Sequence, residues 1–347
     1  MQVDFIIVGQ GLAGTCFALE LLKHKKTFII VDRYESNTSS RVALGVYNPI
    51  ILKWFTKPWD IDNQMKYFDV FYNQINTFLN IQCVENSGIY KYLNSIYDQN
   101  NWLLKCKSSG RASYMSSKLY SIINKGIRNN DFYGLVKNSG RVNIKVFLQS
   151  FRDYCIRHRN LIEEKLNYND LVINPSSVMF RDVTAKKVIF CQGYSGLQNP
   201  YFGHLNFKPT KGEVLHIYCK GLNLKKIIHS GVLLIPLGSD YYSVGATYDW
   251  DFMHNQPTIE SKKKITDLLD RILNKPYSIV KHLAAIRPST LDRKPLVGSH
   301  KEYQNIYILN GLGTRGVLLA PYLSQILFQY IYGNKLIPKE IDINRFN

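Results

Sequence analysis

Residues 9–14 read Gly-Gln-Gly-Leu-Ala-Gly. Glycines at this spacing suit one task, holding a pyrophosphate against the backbone. Gly9 lets the chain turn tightly out of a strand. Gly11 lets the backbone approach the phosphates, and Gly14 lets the next helix pack closely on the sheet. The start of that helix offers free N–H groups to phosphate oxygens. Asp32 stands 18 residues after Gly14, close to the spacing at which an acid accepts from ribose hydroxyls. These residues predict a bound dinucleotide, and the motif alone does not separate FAD from NAD. Two arginines add a second kind of chemistry. The planar fork of Arg287, in Ile286-Arg287-Pro288, suits bidentate recognition of a carboxylate. Arg315 lies in a second glycine cluster, Asn310-Gly311-Leu312-Gly313-Thr314-Arg315-Gly316.

The flanking residues predict the elements that position these groups. Val3–Val8 reads VDFIIV, an apolar β-rich run suited to a parallel strand buried on both faces. Ala13, Phe17, Leu21 and Leu22 then recur at helical spacing. The basic stretch Lys23–Lys26 follows, where cations favour the negative end of a helix dipole. A second strand, Thr27–Val31, ends at Asp32. Near the other end, Asn305–Leu309 (NIYIL) repeats the buried-strand pattern ahead of the second glycine cluster. A helix with apolar positions from Val317 to Tyr330 follows, with Pro321 in its first turns, where proline is tolerated.

Composition narrows the classes. The 347 residues suit two domains rather than one core. No run of about 18 apolar residues occurs, so no membrane span is expected. The N-terminus has no positively charged segment and runs straight into a strand, so no signal peptide is expected. Six cysteines without a CxxC pair fit a reduced, cytoplasmic enzyme. Histidines lack metal-ligand spacing, so no metal site is expected. The formal net charge of +18 allows an anionic partner such as RNA. The basic residues are nevertheless spread along the chain, as on ordinary solvated faces.

Further motifs make the chain similar to the D-amino-acid oxidase and glycine oxidase superfamily of FAD enzymes over nearly its whole length. Ser39-Ser40-Arg41 to Leu44-Gly45-Val46-Tyr47-Asn48-Pro49 resembles the family's flavin-facing loop. Val188–Gly193 resembles a hydrophobic strand ending beside the cofactor, and Lys211-Gly212-Glu213-Val214 the step into the substrate domain. Val244–Thr247, Ile286–Gly298 and the GLGTRG junction complete the series. The resemblance implies an α/β architecture, a Rossmann-type FAD-binding domain with an inserted mixed β-sheet substrate domain. The FAD domain would comprise about 1–80, 140–205 and 286–347, and the substrate domain 81–139 and 206–285. Strand-like runs at Gly88–Leu93, Val214–Tyr218, Val232–Ile235 and Tyr241–Thr247 fall in the insertions, with joints at Asn129-Asn130-Asp131 and Asn138-Ser139-Gly140.

It implies noncovalent FAD, since no cysteine follows Cys219 to anchor the ring. The cofactor residues would be Gly9, Gly11, Leu12, Ala13, Gly14, Asp32, Arg33, Arg41, Gly45, Gly193, Gly311, Gly313, Thr314, Arg315 and Gly316. Arg287 and Arg315 would be the catalytic pair, with Arg287 contacting a substrate carboxylate. The implied reaction moves a hydride from the carbon next to nitrogen of a small amine or amino acid to the flavin, leaving an imine. One departure stands out: Leu233 occupies the place of a substrate-contacting tyrosine in glycine oxidases. TKGEVLHI and GLGTRGVLLAP also resemble the FAD domain of a bifunctional tRNA wobble-uridine enzyme, which makes tRNA an alternative substrate, although the partner methyltransferase domain is lacking. A plain NAD-dependent dehydrogenase would leave the second glycine junction unexplained.

Overall fold

The computed structural model describes residues 1–108, 110–128 and 131–346. The joint at Asn129-Asn130 lies outside the described residues. The strand Gln2–Val8, the helix Leu12–Lys23 and the strand Phe28–Val31 form a βαβ unit, with the two strands parallel. Val183–Phe190 pairs parallel with the other edge of Gln2–Val8, and Ile306–Asn310 pairs parallel with Val183–Phe190. Leu161–Ile162 extends the far edge beside Phe28–Val31. The helix Leu12–Lys23 is buried over most of its circumference because a second helix, Gly316–Gly333, packs against it. Pro321 sits inside that second helix, two residues beyond its first buried turn.

A second sheet has eight strands. Its order is Ser278–Arg287, Thr210–Tyr218, Tyr241–Gly245, Val232–Gly238, Ile227–Ser230, Ile89–Tyr92, Tyr133–Val136 and Met115–Tyr120. Neighbours are antiparallel except Ile227–Ser230 and Ile89–Tyr92, which run parallel. Side chains alternate across it. Ile228, Leu234, Leu215 and Val244 face a core closed by the helix Ile259–Leu269. Ile89, Ile227 and Ile235 face the opposite way, into the core shared with the helices of the first sheet. The expected strands are present in both sheets, but the strand after Gly298 starts one residue later than NIYIL implied, at Ile306. A three-stranded sheet of Val46–Tyr47, Gly140–Val142 and Val84–Glu85 joins the two regions. Among the described residues no helix is long and apolar enough to cross a membrane.

Candidate active site

The two sheets enclose one elongated cavity of about 430 Å³. Its floor is the first glycine cluster. Gly9 has φ +101°, a conformation that disfavours side chains, and a Cβ on Gly14 would sit 1.9 Å from Gly9 O. The turn and the helix start are therefore in contact, with Gly9, Gly11, Leu12 and Ala13 facing the cavity. Gly14 takes the close-packing role and does not line it. Ser40 Oγ accepts from Leu12 N at 3.1 Å. The helix Leu12–Lys23 has no side-chain cap of its own. One N–H of its first turn is thus capped by the short helix Ser39–Val42, while a helix N-terminus of this kind favours an anion beside its remaining free N–H groups.

Asp32 ends the second strand on the cavity wall. Its Oδ1 accepts from Gln10 N at 2.8 Å and its Oδ2 from Arg152 at 3.0 Å. Burial pushes the Asp32 carboxyl up, against the Gln10 and Arg152 hydrogen bonds that pull it down. Arg152 is 2% exposed and also donates to Gln10 Oε1 and Glu163. Sequence reading missed it, although the signal was there. Ile144, Phe147, Leu148, Phe151 and Cys155 form the buried stripe of the helix Ile144–Arg157, and Arg152 falls within that stripe. A charge at an apolar helical position must have a buried partner. Arg33 and Arg41 also line the cavity, and Arg41 lies 4.1 Å from the Tyr34 ring centroid.

Gly45, Gly193, Gly313, Thr314 and Gly316 line the other part of the wall. Gly311 does not. It packs against Leu296 and Thr290. Arg315 does not line the cavity either. Its Nη2 donates to the Asn48 carbonyl, its Nε has no partner, and burial pushes its guanidinium down to about 10. Arg315 therefore ties the loop at Asn48 to the start of the helix Gly316–Gly333.

Arg287 does line the cavity, on the roof formed by the second sheet. It donates to the carbonyls of Lys211 at 3.3 Å and Thr247 at 3.2 Å. No carboxylate pairs with it among the described residues. Burial pushes its guanidinium down, and the Tyr248 ring, 5.4 Å away, pushes it back up. The guanidinium lies flat on Gly212, where a Cβ would fall 2.0 Å from Nη2. On the reverse face of the same strand, Lys211 and Glu213 form a buried ion pair at 3.0 Å. Glu213 also accepts from Thr258 N and Oγ1, and His282 Nε2 lies 2.8 Å from it. Burial pushes Glu213 up, but the bonds from Thr258 and Lys211 outweigh it and hold the carboxyl below its ordinary value.

The residues present suit FAD. A glycine cradle, a helix N-terminus and an acid ending the next strand lie at one end. A second sheet presenting a buried arginine lies over the other. A Rossmann-type sheet roofed in this way defines the class of dinucleotide-dependent oxidoreductases. The chain belongs to the FAD dependent oxidoreductase family, whose model matches residues 4–330. It is 32% identical over 162 residues to the glycine oxidase of Bacillus subtilis (strain 168), spanning 45% of this chain and 43% of that one. It is 24% identical over 178 residues to the tRNA 5-methylaminomethyl-2-thiouridine biosynthesis bifunctional protein MnmC of Idiomarina loihiensis, spanning 47% of this chain and 29% of that protein. The aligned part is thus less than half the length of either relative. The glycine oxidase structure from Geobacillus kaustophilus superposes with a TM-score of 0.80 at 16% identity, covering 100% of this chain and 98% of that one. L-proline dehydrogenase from P. horikoshii gives 0.80 at 15% identity, covering 99% and 98%. These likenesses fix the fold, a Rossmann-type FAD-binding unit joined to a mixed β-sheet.

Proposed function

We propose that this protein oxidises a small amine or amino acid, with Arg287 holding the substrate's carboxylate. The observation that carries the reading is a buried guanidinium on the cavity roof with only carbonyl partners. Two carbonyls fix the orientation of the fork without neutralising it, so an anionic ligand supplies the missing charge. Bound FAD would accept the hydride from the carbon next to nitrogen. The chain's own part is to place that carbon: Arg287 sets the carboxylate, Gly212 leaves room for the fork, and Tyr248 closes the side. The glycine cradle and Asp32, steadied by Arg152, would hold the cofactor. Arg315 would act by fixing the Asn48 loop beside the second glycine cluster rather than by touching substrate.

Noncovalent attachment is part of the proposal. Cys191 is the one cysteine on the cavity wall, and burial pushes its thiol far up, so it stays protonated. Six buried, unpaired cysteines fit a reducing, cytoplasmic setting. We propose the same division as the motifs imply, a cofactor unit of 1–80, 140–205 and 286–347 and a substrate unit of 81–139 and 206–285. Sheet membership supports it, with the strand Ser278–Arg287 bringing Arg287 across the boundary.

A second reading, amine oxidation on a modified tRNA uridine, has its own support in the cluster around Tyr248. Tyr248 lines the cavity and touches Trp250, their ring centroids 5.1 Å apart. Lys208 and Arg293 lie 5.0 and 5.9 Å from the Trp250 ring. Rings interleaved with cations suit stacked bases and phosphates. The purified protein should be yellow and release its flavin on acid precipitation. Under nitrogen, bleaching by a carboxylate-bearing amine supports the first reading. Bleaching by tRNA and by no free amine would replace it with the second.

A further inference from the structure

We propose that Leu233 makes the site selective for a carboxylate that carries an apolar chain, by extending an apolar wall across the cavity roof from Arg287. The proposal rests on the amine-oxidation reading for the identity of the substrate, though not for the wall itself. Sheet register sets the wall. Val214 follows Gly212 by two residues, so it points to the same face, about 6–7 Å along the strand from the glycine on which the guanidinium lies. Val214 pairs with Gly245, and Gly245 pairs with Leu233 on the next strand. Leu215, Leu234 and Val244 point to the opposite face, into the core closed by the helix Ile259–Leu269. Val214, Leu233 and Ala246 all line the cavity, as does Ala285, which pairs with Gly212.

This wall is apolar and partly bare. Among the described residues that the second sheet and the segment after Thr247 place on the cavity, Arg287 is the one charged side chain. Thr247, Tyr248 and Asn255 form the polar part of that lining. Val214 and Ala285 are 3% and 4% exposed, packed with Val42 in a small cluster of their own. Leu233 and Ala246 keep part of their surface open, whereas Leu234 beside Leu233 is fully buried. Leu233 is the larger of the two, so it supplies most of the open apolar surface of the wall. An alkyl chain covering such surface gains about three- to fourfold in affinity per methylene. These side chains offer no donor or acceptor, so a polar group laid on them loses its hydration without replacement.

The substrate class is therefore an amino acid with an aliphatic chain, on the carbon next to nitrogen or on the nitrogen itself. Glycine would leave the wall bare.

Binding tests the wall without turnover. The flavin-loaded protein is titrated with acetate, butyrate, hexanoate and adipate, following the flavin absorbance. Hexanoate should bind at least about tenfold more tightly than acetate. It should also bind more tightly than adipate, which has the same length and a charge in place of the methyl. Leu233→Asn should bring the hexanoate-to-acetate ratio near one, Leu233→Ala should lower it at least about threefold, and Leu233→Met should retain it. Flavin content near that of the natural protein shows that a variant folds, and Leu233→Ala decides where Leu233→Asn loses flavin. Under nitrogen, at limiting concentration, D-norleucine, L-norleucine or N-butylglycine should bleach the flavin faster than glycine, and the fastest of the three shows which atom carries the chain. The proposal is overturned if hexanoate has no advantage over acetate or adipate, if a folded Leu233→Asn or Leu233→Ala keeps the full advantage, or if glycine bleaches fastest. If the carboxylates behave as expected and no amine bleaches the flavin, the proposed reaction fails and the wall stands.

Discussion

Arg287 and Gly212 act as one unit. Arg287→Lys keeps the charge and loses the fork, so bleaching by a carboxylate-bearing amine should slow. Gly212→Ala should reproduce that defect with Arg287 intact, because the added Cβ would occupy the guanidinium's place. Stopped-flow reduction rates and flavin content separate the two possibilities. If Gly212→Ala reduces at the natural rate, the stacking of Arg287 on Gly212 does not position it. His229 carries a pH signature. Burial, and after it the Lys91 charge, hold its folded pKa down to about 4, below the ordinary imidazole value. The unfolded chain therefore binds the extra proton first. The stability this group contributes is complete above pH 6.5 and is lost as the pH falls towards 4. The whole change is about 3 kcal/mol by linkage. Denaturant midpoints measured across this range should fall with pH, and His229→Gln should flatten the fall. A parallel decline in the variant would assign the effect to other groups.

At the scale of elements, the Lys211–Glu213 pair joins the sheet to the helix Ile259–Leu269. Thr258 is the N-cap of that helix, and its N–H and hydroxyl both donate to Glu213. The segment between Tyr248 and Thr258 is thereby pinned at both ends, since Asp249 and Lys211 also exchange backbone hydrogen bonds. Tyr248 and Asn255 from this segment line the cavity. Glu213→Gln would leave Lys211 as an uncompensated buried cation and should cost about 3 kcal/mol of stability. It should also raise KM more than it lowers kcat if, as proposed, the segment it loosens positions substrate rather than cofactor. Urea denaturation measures the first effect and steady-state kinetics the second. An unchanged midpoint would mean that the pair contributes nothing beyond its own desolvation cost.

The whole molecule carries a net charge of +18, and its distribution matters more than its size. Lys208 and Arg293 stand beside Trp250, and Lys294 lies 6.0 Å from the Trp59 ring. Other cations face elsewhere: Lys26 and Lys187 both flank Tyr332, and Lys262, Lys263 and Lys264 lie in the helix Ile259–Leu269. Charge divided in this way should bind tRNA and heparin alike. The log–log salt dependence should be about −0.7 per phosphate contacted, with no preference for tRNA. Filter binding at several salt concentrations checks this. Selective binding of tRNA that is lost in Trp250→Ala would move the weight to the second reading.

The local features of the cofactor site were legible in the sequence, because they arise within short segments. The strand–glycine–helix order of residues 2–23 and Asp32 at the end of the next strand depend on turn geometry and apolar periodicity alone. The assembly of the roof was not legible. Arg287, Gly212 and Thr247 meet only because Thr210–Tyr218 pairs with Ser278–Arg287 on one edge and with Tyr241–Gly245 on the other, strands that are distant in sequence. Register fixes such pairs, and no local spacing encodes register across an insertion. The same holds for Arg152, drawn to Asp32 from 120 residues away, and for His229 beside Lys91, which belong to strands on opposite sides of the middle of the chain. Arg315 shows the converse. Its neighbours along the chain placed it in the site, whereas its side chain turned to the Asn48 carbonyl. Backbone conformation is set by near neighbours. The direction and partner of a long charged side chain are set by whatever the fold brings within reach.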